Sequence, residues 1–186
     1  MSAHRSATGL ASELRQVGQA VERSFAALHP HLFFSGTDGH WSPAHHLDHL
    51  TRSNLPLTQA MRLPRLAVSV LGGRAEAGRS SRTAEEIREL YLAALNAGGR
   101  ATGRYLPTLA GGQDAPAQER ILAAFQASAT ELGEAVAGWS ETDLDSLLLP
   151  HPLLGKLTVR EMLYFTVYHH SHHLEGVRRR LQSEPT

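Results

Sequence analysis

The chain has 186 residues, of which 41% are apolar, and its 18 basic residues balance its 18 acidic ones. This is enough material for one core, so we expect residues 1–186 to form a single domain. The balance of charge leaves no basic run for nucleic acid or an anionic membrane, and no apolar run approaches the ~20 residues of a transmembrane helix. The start, MSAHRSATGLASELRQ, lacks the apolar core of a secretory signal, so we expect a cytoplasmic location. With no cysteine, any metal site must use imidazole, carboxylate, hydroxyl or water.

The first predicted helix has apolar residues at spacings of three and four, which place them on one face. They are Leu10, Leu14, Val17, Val21, Phe25 and Leu28. We expect Pro30 to end this helix. Ser42 and Pro43 are typical of a helix start, because a hydroxyl caps free N–H groups and a proline in the first turn loses no hydrogen bond. The second helix is therefore predicted to run from Pro43 to about Arg62, with a kink at Pro56.

Residues 72–116 form an irregular, glycine-rich stretch that contains one clear helix signal. Thr83 and Glu86 have the spacing of a capping box, which predicts a short helix after them. A segment of this length inside a compact domain is either functional or mobile. The composition favours a solvated linker with scattered charge. The alternative is a mobile cover over the functional site, with Arg100 or Arg104 placed to meet an acidic group.

Two more helices are predicted in the last third of the chain. The third long helix is marked by Ile121, Leu122, Phe125, Ala129, Leu132 and Val136. The last begins at Thr158, with Glu161 three residues on as a second capping box, and continues to about Leu181. No alternating strand pattern is present. The sequence therefore predicts an all-α four-helix bundle with an extra short helical segment between the second and third long helices.

The last helix carries four histidines in the stretch His-His-Ser-His-His, residues 169–173. At about 100° per residue, His169 and His173 share the apolar face of Met162, whereas His170 and His172 fall on either flank and are expected to be solvated. Two imidazoles one turn apart, with Cβ atoms roughly 6 Å apart, can hold one divalent ion. The alternative is a pair of core histidines that are satisfied by hydrogen bonds.

A third ligand is available only in WSPAHHLDHL at the start of the second helix. His45 is expected to be solvated, and Trp41 is expected to anchor the start of the helix. The apolar stripe of this helix lies nearer His46, with His49 at its edge. Spacing therefore leaves both histidines open as ligands.

Trp41-Ser42-Pro43 followed by His49, together with HPLLGKLTVREMLYFTVYHHSHHLEGVRRRL, resembles the two metal-site motifs of the DinB/YfiT-like superfamily. The resemblance implies an up-down-down-up four-helix bundle, often a homodimer, with three histidines on a divalent ion. Carried over by position, the ligands are His49, His169 and His173. Gly176 stands where the family often has a glutamine, which puts one hydrogen bond beside the site in doubt.

A three-histidine site leaves a coordination position open for water or substrate, and Zn²⁺ or Ni²⁺ is the expected ion, with Fe²⁺ also suited to imidazole. The residue after His169 is not glutamate, which excludes a zincin. The resemblance implies an enzyme acting on a small molecule, either a thiol S-transferase that uses bacillithiol or mycothiol, or a hydrolase. His151 is the candidate catalytic residue, as a proton shuttle. The alternative is a non-catalytic, stress-associated bundle in which the ion is structural.

Overall fold

The structure is a computed structural model that describes residues 4–36 and 39–183. Its α-helices are α1 (Ala7–Ala26), α2 (Pro30–Phe34), α3 (Pro43–Arg62), α4 (Arg65–Gly72), α5 (Ala84–Asn96), α6 (Ala115–Val136), α7 (Glu141–Ser146) and α8 (Val159–Ser183). A single 3₁₀ turn, Gly103–Tyr105, lies between α5 and α6. The strands β1 (Leu148–His151) and β2 (Gly155–Thr158) precede α8.

The four long helices, α1, α3, α6 and α8, form a bundle in which α1 and α3 each pack on both α6 and α8. Gln118 near the start of α6 bonds the carbonyl of Phe25 near the end of α1, so these helices are antiparallel. Ser24 bonds Arg178, which makes α1 and α8 parallel. The first turns of α3 contact the second half of α8, so this pair is antiparallel. The predicted up-down-down-up bundle is therefore confirmed, and no helix among the described residues is long and apolar enough to cross a membrane.

Helix starts follow the capping signals in the sequence. The side chain of Ser42 accepts a hydrogen bond from the His45 N–H, and Thr158 and Glu161 form the reciprocal bonds of a capping box. The first helix ends at Ala26, earlier than predicted, and Pro30 begins α2 instead of ending α1. The reason is that proline lacks the N–H which the first turn of a helix leaves unbonded in any case.

The hairpin of β1 and β2 corrects the prediction that no strand is present. The strands pair antiparallel, with Leu149 opposite Leu157, and both of these side chains are buried against the bundle. Four residues per strand are too few to show an alternating pattern in the sequence. The end of α4 packs tightly on this hairpin, since a Cβ at Gly72 would overlap the carbonyl oxygen of Leu148.

The bundle interior has two apolar clusters separated by a polar layer. On α3, Leu47 and Leu50 belong to one cluster and Leu57 and Met61 to the other. The helices α6 and α8 divide in the same way. On α8, four buried polar residues lie between the clusters, namely Thr166, His169, His170 and His173, and on α3 Asn54 lies between them. The polar layer is therefore where chemistry is to be sought, because buried polar groups need specific partners.

Candidate metal centre

Three buried histidines from α3 and α8 converge on one point. The Nε2 atoms of His49 and His169 are 3.1 Å apart, and those of His169 and His173 are 3.0 Å apart. One ligand nitrogen from each of the three lies within 4.8 Å of the others, as ligands of a shared ion would. The structure thus brings together the three residues expected to bind a metal.

Hydrogen bonds between these rings cannot explain the convergence. A ring nitrogen carries either one hydrogen or one lone pair, so His169 Nε2 can bond only one of its two neighbours well. Burial and the neighbouring His49 lower the pKa of His169 well below its ordinary value. Burial and His169 do the same for His173. Neutral imidazoles with converging lone pairs are the state in which histidine binds a metal ion, and this donor set therefore fits a divalent ion.

The irregular segment after α5 supplies a partner to one ligand. His49 Nδ1 donates a hydrogen bond of 2.7 Å to the backbone carbonyl of Tyr105. With its proton on Nδ1, His49 keeps its lone pair on Nε2, which points to the centre. No residue pattern signals this contact, because any residue at position 105 has a carbonyl group.

His46 lies beside the three-histidine group and not in it. Its Nδ1 is 2.7 Å from His173 Nδ1, the ring nitrogen on the other side from the centre. Burial, followed by the charge of Arg180, lowers the pKa of His46 to about 3. A neutral His46 can therefore accept a hydrogen bond from His173 Nδ1–H, which leaves the lone pair of His173 on Nε2, where it can bind a metal. Spacing left both His46 and His49 open as ligands, and of the two it is His49 that belongs to the group of histidines that could hold one ion.

Trp41 packs over the ligands as well as at the start of α3. Its ring lies parallel to that of His173, with centroids 6.3 Å apart, and its centroid is 4.9 Å from that of His49. An indole in this position shields two of the imidazoles from water. Trp41 was expected to act only as an anchor for the helix start, and the structure adds this second contact.

A cavity of about 680 Å³ adjoins the centre, with His49 and His169 in its lining. Its other walls are largely leucine, proline and aromatic residues from α3, α5, β1 and α8. The irregular segment contributes Arg100, Arg104 and Tyr105. Among the residues that the structure describes, no aspartate or glutamate lines the cavity. The segment 72–116 therefore contributes residues to the cavity wall, and the alternative that it is a mobile cover stays a prediction.

His151 also lines this cavity, at the turn between β1 and β2. Its Nδ1 accepts hydrogen bonds from the backbone N–H groups of Leu153 and Leu154, at 3.2 and 3.1 Å. The proton of the neutral ring is therefore on Nε2, and burial lowers the pKa of His151 to about 4. Its ring packs on Phe165, which in turn stacks on His169. His151 is thus a hydrogen-bond donor at the cavity wall, and its role in catalysis stays a prediction.

His170 is buried, and the expectation that it is solvated was wrong. Its Nε2 donates to the side-chain oxygen of Asn54, whose amide nitrogen donates to Ser128. The hydroxyl of Ser128 then donates to a backbone carbonyl of α6. A polar chain thus connects α8, α3 and α6. His45 and His172, also expected to be solvated, are half-buried.

Gly176 follows His173 by three residues and leaves open space beside α8. A Cβ at this position would meet no heavy atom within 4 Å. The family that the motifs resemble often has a glutamine at this position. In this chain no other side chain of the described residues fills that space.

Comparison with protein families supports the grouping that the motifs indicated. A family model described as the DinB superfamily matches residues 6–177. This range contains His49, His169 and His173 and all of the bundle except the last six residues of α8. Searches of curated proteins and of solved structures found no match to this chain.

Proposed function

The chain belongs to the DinB superfamily, and from that premise we propose that it is a metal-dependent enzyme with one divalent ion, Zn²⁺ or Ni²⁺, on His49, His169 and His173. The observation that carries this proposal is the convergence of three neutral imidazoles at the wall of a large cavity. Three protein ligands leave a coordination position for a small molecule, which is the pattern of a reactive site and not of a purely structural one.

A divalent ion in this site would supply Lewis acidity, which lowers the pKa of a water or thiol ligand. The residues of the chain hold and shield the site. The Tyr105 carbonyl fixes the orientation of His49, and Trp41 covers two of the imidazoles. The apolar cavity walls exclude water, and the Nε2–H of His151 can donate to a bound substrate.

Within the two activities that the family suggests, we favour thiol S-transfer over hydrolysis. A hydrolase commonly uses a carboxylate or histidine base to accept a proton from water, and within the described part of the chain no carboxylate lines this cavity. His151, the remaining candidate, has its Nδ1 bonded to backbone N–H groups and its Nε2 protonated. A thiol with a lowered pKa is already a strong nucleophile at neutral pH and does not depend on such a base.

Metal content tests the site. The purified protein should contain one equivalent of divalent metal, and single replacements of His49, His169 or His173 by alanine should remove it. His172→Ala is the matched control, since this half-buried histidine of α8 lies outside the three-histidine group and its loss should leave the metal content at one equivalent. Full metal content in any of the three ligand variants would overturn the assignment of that ligand.

Thiol binding separates the enzyme from the non-catalytic alternative. Bacillithiol, mycothiol and coenzyme A are titrated into Co²⁺-substituted protein, and the ligand-field spectrum is followed. We expect a new sulfur-to-metal charge-transfer band with at least one of these thiols. The non-catalytic alternative is supported by the position of the ligands on two different helices, because a bound ion would hold α3 and α8 together. A spectrum unchanged by all three thiols would support that structural role and exclude the S-transferase.

A further inference from the structure

The charged residues that line the cavity in the described part of the chain are both arginines. Arg100 and Arg104 belong to its lining, and neither forms an ion pair with a residue that the structure describes. Arg100 donates to the backbone carbonyls of Leu95 and Gly99, while an Nη atom of Arg104 lies 3.5 Å from the hydroxyl of Tyr105. Both arginines are exposed and have neutral protein partners, so an anionic ligand can reach both guanidinium groups. The bound ion of the proposed function would add to this positive potential.

The rest of the cavity is suited to an apolar group. Leucines from α3, α5 and β1 form much of its wall, together with Met162 and Phe165 of α8. The apolar surface continues outward on α4, where Leu71 lines the cavity and is 71% exposed, next to Leu66 and Val70 at 76% and 78%. A volume of about 680 Å³ lies inside the range of small-molecule sites, about 300–1,000 Å³.

We propose that the substrate of this cavity is an amphipathic carboxylate, a small molecule with an apolar body and one anionic group that Arg100 and Arg104 bind. This inference rests on the proposed function, since it names the substrate class of the same site. A guanidinium binds a carboxylate through paired, charge-assisted hydrogen bonds. A cationic ligand would meet two positive charges with no carboxylate among the lining residues to offset them. A neutral ligand would leave both arginines without an anion.

The test uses ligands of one length that differ only in the head group. Decanoate, decanol and decylamine are titrated into the full-length protein after EDTA treatment, and binding is measured by calorimetry. We expect decanoate to bind about 10-fold more tightly than decanol, since a hydrogen bond to a charged group is the stronger kind, and decylamine to bind most weakly. Octanoate should bind about 10-fold more weakly than decanoate, because each buried methylene changes affinity roughly three- to fourfold.

Two sets of variants locate the head group. The double variant Arg100→Gln/Arg104→Gln should lose the preference for decanoate while its affinity for decanol is unchanged. Arg88→Gln is the control, because Arg88 pairs with Glu85 and does not line the cavity, and it should bind all ligands as the wild type does. Equal affinity for decanoate and decanol, or an unchanged preference in the double variant, would overturn the proposal.

Repeating the titration with metal-loaded protein separates this inference from the proposed function. If the purified protein contains no metal, the proposed function fails, but the metal-free protein should still prefer decanoate because of the two arginines. If decanoate binds only to the metal-loaded protein and the double variant binds it equally well, the ion is the anion site and the arginine assignment is overturned.

Discussion

Acidification is expected to weaken the fold through His151, and the size of the effect follows from the structure. The Nδ1 of this ring accepts two backbone hydrogen bonds that close the turn between β1 and β2. Protonation of Nδ1 would break both bonds and place a charge against the cavity wall. The pKa of His151 is therefore lowered by burial, from 6.5 to about 4.

A lowered pKa in the folded state means that the unfolded chain binds the proton more tightly. The free energy of unfolding should consequently be constant above pH 6.5 and fall as the pH is lowered from 6.5 toward 4. Where unfolding takes up one whole proton, the free energy of unfolding falls by about 1.4 kcal/mol per pH unit. For this half-buried ring we expect a loss of about 1–2 kcal/mol between pH 7 and pH 5, after allowance for the water that reaches it.

The assay compares urea unfolding of EDTA-treated wild type and His151→Asn at pH 7 and pH 5. Asparagine does not titrate, and its side-chain oxygen accepts N–H groups two or three residues on in the same way as Nδ1. The other histidines are present in both proteins, and their contributions largely cancel in the difference, since His151 is the smallest of the causes that lower the pKa of His169. The wild type should lose about 1–2 kcal/mol more than the variant on acidification. Equal losses in the two proteins would refute the reasoning, because His151 would then titrate alike in the folded and unfolded states.

Three further substitutions test the packing around the site. His170→Ala should lower the free energy of unfolding by about 2–4 kcal/mol, because it leaves the Asn54 amide oxygen without its donor and empties a ring-sized space. Metal content should stay at one equivalent, and its loss would show that the polar chain is needed to position the metal ligands. Glu161→Gln should lower the free energy of unfolding by about 2–3 kcal/mol, because this buried carboxylate pairs with two arginines. Thermal unfolding measures this, and an unchanged melting temperature would contradict the prediction. Gly72→Ala should lower the free energy of unfolding by more than ~2 kcal/mol, because its Cβ overlaps the Leu148 carbonyl oxygen. The control Gly138→Ala has open space around it and should change this free energy by less than ~0.5 kcal/mol. Similar stabilities of the two variants in urea would show that α4 and β1 adjust freely.

The sequence by itself determined the long helices and the inward face of α8. Helix periodicity and capping are local properties, so the spacing of His169 and His173 and the capping box of Thr158 and Glu161 were sufficient. The resemblance of the two motifs to a known family added His49, and the family match over residues 6–177 agrees with that grouping. The β1–β2 hairpin was missed, because two four-residue strands carry too little pattern.

Only the tertiary structure decided which groups surround the histidines. His170 lies on the flank of its own helix, yet it is buried because α6 brings Ser128 and α3 brings Asn54 against that flank. The partner of His49 is a backbone carbonyl 56 residues away, and a backbone group has no signature in the residue types. The helical pattern of a sequence indicates in which direction a side chain points from the axis of its own helix. The groups that the side chain contacts in that direction depend on how the other helices pack.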